Sequence, residues 1–338
     1  MSMLRDSRVI VVGGDAWAVG ARGTVLGAMD TDSVLVRLDE PRLGDDGKGP
    51  FSVAQFAVED LRVAPGEAQP DNAALEQAYQ WARREQDRQA AFREAQMAFR
   101  ERLERALRDG AEREIRASIA DFRVQGLPLH PAEGTTGWGS ALCGFGYSLF
   151  QSSERLGDPG LADEAVAVLE EALLYSEKGS GTGELQVLRF LGGVLNLRGW
   201  LRADVGDHER ALTVFDKLLA DGYPSDADEA NVGKGWAHLG RARLGDRVYS
   251  AETALRLFEA VQLTRESGGL AWAHRQAGLA EAHLLRGRLT VEALAAAKKA
   301  ANDAIAFYRS RRSAYWTMPA WTERAEMVRA QLRKVRLS

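Results

Sequence analysis

Cysteine is almost missing from this 338-residue chain: Cys143 stands alone. One thiol excludes an internal disulfide and a thiolate zinc cluster, and it fits a reducing, cytoplasmic setting. Long apolar runs are missing too. None approaches the roughly 18 residues that a membrane helix needs, so no membrane partner is expected. The stretch Met1 to Arg8 has no apolar segment of the secretory kind. The five histidines contain no His-x3-His pair and no His-Glu-x-x-His. Neither a metal nor a cofactor is expected. Basic excess is confined to one place: residues 298–338 carry +7, against −4 for residues 1–70 and −7 for residues 127–297. A surface that follows phosphates along the whole molecule is therefore disfavoured.

What is present is ordinary globular material, 45% hydrophobic and 27% charged, enough to bury a full core in two or three domains. The first 65 residues read as short strands. Val9–Val12 is apolar and β-branched, Arg22–Leu26 follows a glycine-rich turn, and Ser33–Leu38 alternates with period two. Asp39 to Pro50 reads as a loop and Asp60–Val63 as a last strand. Five short strands in about 60 residues predict a small closed barrel, because closure removes exposed edges. The pattern Val9-x-Val11, Gly20-x-x-Gly23-Thr24-Val25, Val34–Leu38, Phe56 and Leu61-Arg62 resembles an SH3-like barrel of the KOW or Tudor type.

Pro65 to Pro70 reads as a linker. From Asn72 to Asp109 there is no glycine or proline, and Ala, Glu, Gln and Arg dominate, which predicts a long helix. Phe92, Ala95, Phe99, Leu103 and Ala106 share one face of it. Gly110 should break the helix, and Ala111 to Phe122 should form a second one.

Beyond Leu127 an internal repeat emerges. Ala165/Leu169/Ala172, Ala211/Phe215/Leu218, Ala254/Phe258/Val261 and Ala293/Ala297/Ala300 share one spacing, with leading alanines 46, 43 and 39 residues apart. Gly206–Asp216 resembles the turn and second helix of a tetratricopeptide repeat (TPR), and Trp236-Ala-His-Leu-Gly240 resembles that family's first-helix signature, echoed by Trp272-Ala-His274. The expected fold class is thus mainly α: a TPR-like α-solenoid preceded by a small all-β SH3-like barrel and a long amphipathic helix. The domains expected are 1–68, 69–126 and 127–338.

Several candidate sites have structural readings. Cys143 lies among small residues from Gly137 to Gly146 without an activating histidine in any known pattern, and reads as core. Gly179–Glu184 and Asp45–Gly49 lack the Gly-Lys-Ser/Thr ending of a phosphate loop and read as connections. Asp226, Asp228 and Glu229 fall at a helix start, where carboxylates complement the dipole. Arg202-x5-His208 has the spacing of HEPN-type ribonucleases. However, Gly206-Asp207 reads as the inter-helix turn, which places His208 at an exposed helix start.

Trp236 and Trp272 read as core. The TPR resemblance implies that Asn196, Trp200, Lys234 and Arg241 face the concave groove, where the two cations would favour an acidic segment of a partner protein. The function expected is therefore a non-enzymatic scaffold or adaptor. Two alternatives stay open: a HEPN-like ribonuclease using Arg202 and His208, and a nucleic-acid-associated adaptor acting through the barrel and the basic C-terminal tail.

Overall fold

The computed structural model describes residues 8–13, 18–28, 33–42, 51–63, 72–129, 136–176, 181–222, 224–287, 289–310 and 318–335. The linker residues Pro65 to Pro70 and the loop Asp45–Gly49 lie outside them. The chain forms two compact units, Met1–Ala91 and Phe92–Ser338.

In the first unit, strands β1 (Arg8–Val11), β2 (Arg22–Ala28), β3 (Ser33–Arg42), β4 (Phe51–Ala57) and β5 (Leu61–Val63) form one antiparallel sheet ordered β4-β3-β2-β1-β5. Period-two alternation puts Val9, Val11, Val25, Val34, Val36, Phe56 and Leu61 on one buried face. Gly23 is needed where β2 meets β3, because a Cβ there would stand 2.6 Å from the Arg37 carbonyl oxygen. The sheet curls over this core as a half-barrel. Among the described residues no ladder joins β4 to β5, so the expected full closure is replaced by a single 3-10 turn, Val58–Asp60, between them. Strand β3 also runs on to Arg42, four residues past Leu38. Asp39, expected in a loop, is held within the strand by the Arg8 guanidinium.

Helix α1 (Asn72–Asp109) is the long helix that the composition predicts, and the division between the two units falls inside it. Its second half belongs to the larger unit and buries Phe92, Phe99, Leu103, Ala106 and Leu107. Gly110 (φ 68°) ends it, and α2 (Glu112–Asp121) follows. A π-helical turn, Phe122–Gly126, then stacks Phe122 on Phe99 at 4.3 Å.

Four helix pairs come next: α3 (Thr136–Leu156) with α4 (Pro159–Ser176), α5 (Gly181–Arg202) with α6 (Val205–Asp221), α7 (Pro224–Leu244) with α8 (Arg247–Ala260), and α9 (Arg265–Arg286) with α10 (Val291–Ser310). The repeated alanine segments fall on the second helix of each pair, with Val261 just past the end of α8. First helices also pack on one another, α3 on α5, α5 on α7 and α7 on α9. The large residue of the repeat explains this stacking. Phe215 of α6 wedges against Gly192 of α5 and Gly233 of α7, and Phe258 of α8 against Gly235 of α7 and Gly278 of α9. Each ring occupies the space that two absent side chains leave, so one aromatic locks three helices. The last helix, α11 (Met318–Lys334), packs on α9 and α10 and buries Ala325, Val328 and Leu332. The basic C-terminal segment is therefore helical cover with an apolar face. Among the described residues, no helix is long and apolar enough to cross a membrane.

Candidate functional site

The first helices of the array, the second half of α1 and the start of α11 line a cavity of about 1140 Å³. Helices α5 and α7 supply its middle. On α5 the three- and four-residue spacing Arg189, Gly193, Asn196, Trp200 faces inward, and on α7 Glu229, Gly233 and Trp236 do the same. Asn196 is buried, and its Nδ2 donates to the Gly233 carbonyl at 2.9 Å, tying α5 to α7.

The far end of the cavity is built around Arg324 of α11. Its guanidinium lies 4.1 Å from the ring centre of Trp200, 4.6 Å from that of Trp236 and 5.7 Å from that of Trp321. Arg324 donates twice to Glu281 of α9, at 3.0 and 3.1 Å, and Arg243 of α7 donates to the same carboxylate at 2.7 Å. Burial alone would raise the Glu281 pKa. The two guanidiniums outweigh it and hold this carboxyl below its ordinary value.

Trp321 reaches across the array: its Nε1 donates to Glu154 Oε1 on α3 at 2.7 Å, 167 positions away in sequence. Beside it, His274 Nδ1 and Tyr308 Oη share a hydrogen bond of 3.0 Å. Burial pushes the His274 pKa down to about 3, so the imidazole is neutral, and it keeps the Tyr308 phenol protonated. Cys143 also touches the cavity but is buried, with its thiol pushed up to about 11 by burial. Among the described residues, no group of three or more His, Cys, Asp or Glu is gathered as a metal site.

Of the four residues that the repeat register assigns to the groove, Asn196 and Trp200 line the cavity, while Lys234 and Arg241 do not. Lys234 pairs with Asp216 of α6 at 2.5 Å. The inward positions of α7 are Gly233 and Trp236, and Lys234 follows Gly233 by one residue, about 100° around the helix. The cation that does reach the Trp200 ring from α7 is Arg243, at 5.0 Å.

Trp236, expected as core, is buried and also forms part of the cavity wall. His208 is buried rather than exposed, because α6 begins at Val205 and brings it one turn inside the helix. The ring fills the space between Gly199 and Gly240. Its Nδ1 meets Asn196 Oδ1 at 3.3 Å, and burial lowers its pKa to about 4. Arg202 is paired with Asp163. Neither Arg202 nor His208 lines the cavity.

Sequence reasoning did not find Glu154, Glu281, Arg243 or Arg324. Trp321 and Arg324 are three residues apart, a spacing that puts both on one helix face. No local signal marks the two glutamates, because what distinguishes them is the partner brought in from another helix.

The fold and cavity define a helical array with an aromatic-lined inner face and a small curled β unit before it. Compared with known proteins, the chain matches no family model, no curated protein and no solved structure.

Proposed function

We propose that this protein is a non-enzymatic interaction scaffold whose helical array receives a segment of a partner protein in the inner cavity. The cavity itself carries the reading. A volume of about 1140 Å³ with walls of Tyr147, Phe190, Trp200, Trp236 and Trp321 suits an extended or helical segment with anchoring side chains. The groups within it support binding more than chemistry. The cavity histidine is neutral, the cysteine is protonated, and Arg324 is engaged by the Glu281 carboxylate that it shares with Arg243. None of these makes a nucleophile and base in mutual reach.

The test uses Tyr147 and Phe190, which stack at 4.2 Å and line the middle of the cavity. A Tyr147→Ala, Phe190→Ala variant is first matched to wild type by circular dichroism and melting. A partner isolated with the wild-type protein and shown to bind it directly should then lose about thirtyfold in affinity for the variant, the effect of truncating an aromatic anchor worth about 2 kcal/mol. Equal affinity for the two proteins would refute the cavity as the binding site.

A further inference from the structure

Among the described residues, the charged side chains lining the cavity are paired with opposite charges, with one exception. Arg100 pairs with Glu104 at 3.0 Å, Arg189 with Glu229 at 2.9 Å, and Arg324 with Glu281. Glu154 has no cation among the described residues. It is half-buried on α3, lines the cavity, and among the described residues accepts a hydrogen bond only from a neutral indole, that of Trp321. The neighbouring His274 and Tyr308 are uncharged and engaged with each other. A carboxylate drawn out of water with no opposite charge is unfavourable. Its pKa registers that: burial pushes it up to about 7, with the Trp321 hydrogen bond offsetting only part of the effect.

The surroundings of this carboxylate are aromatic. The Trp321 ring meets Trp236 edge-on at 5.0 Å and His274 at 4.2 Å. Flat apolar walls around an unmatched negative charge suit a cation carried on an apolar stem. The stem packs along the rings, the cation gains their electrostatic attraction, and the carboxylate gains its counter-ion. Arg324 shows the same chemistry in the same cavity, held by three tryptophans and Glu281.

We infer that the cavity takes a basic side chain of the partner segment, a lysine or arginine whose stem lies against the aromatic wall and whose cation pairs with Glu154. This rests on the scaffold reading above and reverses the partner charge that Lys234 and Arg241 implied, since neither of those cations lines the cavity.

The experiment selects a display library of random nonapeptides on the wild-type protein and on Glu154→Gln. Glutamine keeps an oxygen to accept the Trp321 hydrogen bond, and matching circular dichroism and melting establish that the variant is folded. The wild-type protein should enrich peptides with a lysine or arginine flanked by apolar residues. Such a peptide should lose at least about tenfold in affinity when its basic residue becomes norleucine, or when the protein carries Glu154→Gln. Enrichment without basic residues, or of acidic ones, would overturn the inference while leaving the cavity as a peptide site. No enrichment by either protein would overturn the scaffold reading with it. Tryptophan fluorescence with n-butylamine completes the comparison. Binding of this amine as tight as that of the selected peptides would overturn the peptide source in favour of a free amine.

Discussion

The aromatic wedge between helices makes Gly278 a sharp test of how this array is held together. An alanine methyl at Gly278 would stand 2.3 Å from Cζ of Phe258, far inside normal contact. The ring has little room to retreat. Phe258 is fully buried, a Cβ at Gly235 on its other side would also lie 2.5 Å away, and Trp236 meets it edge-on at 6.0 Å. Two effects oppose each other. Alanine favours a helix interior over glycine by about 1 kcal/mol, while overpacking a filled core costs about 1–3 kcal/mol and occasionally more. A methyl more than 1 Å too close to a trapped ring puts the steric effect at about 3 kcal/mol. The net expectation is a loss of about 2 kcal/mol, or a melting temperature lower by about 4–8 °C for a unit of this size.

Gly144→Ala supplies the control. Gly144 is exposed in α3 and the nearest atom to its added Cβ is at 3.7 Å, so propensity alone acts and melting should rise by about 2–4 °C. Thermal unfolding followed by far-ultraviolet circular dichroism reads both variants. Adding Phe258→Leu to Gly278→Ala should recover part of the loss by freeing ring space. A Gly278→Ala protein that melts at or above the wild-type temperature would refute the wedge.

Removing the Glu281 carboxylate leaves the Arg243 and Arg324 guanidiniums facing each other without it; Glu281→Ala should lower unfolding free energy in urea by about 3 kcal/mol or more, and a change under 1 kcal/mol would count against the cluster as a structural tie. Acid should also weaken the array. Burial lowers the pKa of His208 and His238 to about 4 and of His274 to about 3, from 6.5, so the unfolded chain takes up protons that the folded one refuses. This stabilisation is complete above pH 6.5 and fades as pH falls toward 4, by about 3 kcal/mol for the fully buried His208 alone. Glu154 acts oppositely, since its raised pKa removes stability as pH rises from about 4.5 to 7. Urea midpoints are therefore best compared in Glu154→Gln, where they should drop between pH 7 and pH 4.5; a level profile would contradict buried, neutral imidazoles.

Much of this architecture is local and so was legible in the residues. The glycine- and proline-free run from Asn72 predicts α1, Gly110 marks its end, and the recurring alanines identify the second helix of all four pairs. Alternating valines predict the sheet and its buried face. Boundaries were harder. Whether β3 stops at Leu38 or Arg42 depends on Arg8 from another strand, and whether α6 starts before or after Gly206 depends on how tightly the chain turns at Ala203, which takes a left-handed φ of 53°. That shift of about one turn moved His208 from an expected surface position into the core. On α7, one residue of register separates Gly233, which faces the cavity, from Lys234, which does not.

Periodicity, helix formers and breakers act over a few residues, and by themselves they determined that this chain is a short-stranded β unit, a long helix and a repeating helical array. Asn196 and Trp200, which the TPR resemblance assigned to the groove, lie seven and eleven residues after Arg189 on α5 and line the cavity with it. The charge of the cavity is of another kind. Glu281 is matched because α7 and α11 each bring an arginine to it, whereas Glu154 has no cation among the described residues and the side chain reaching it from position 321 is an indole. Both are glutamates on amphipathic helices, and nothing within a turn of either tells them apart. Only the packing of helices distant in sequence decided which of the two carboxylates faces an aromatic cavity with no cation among the described residues.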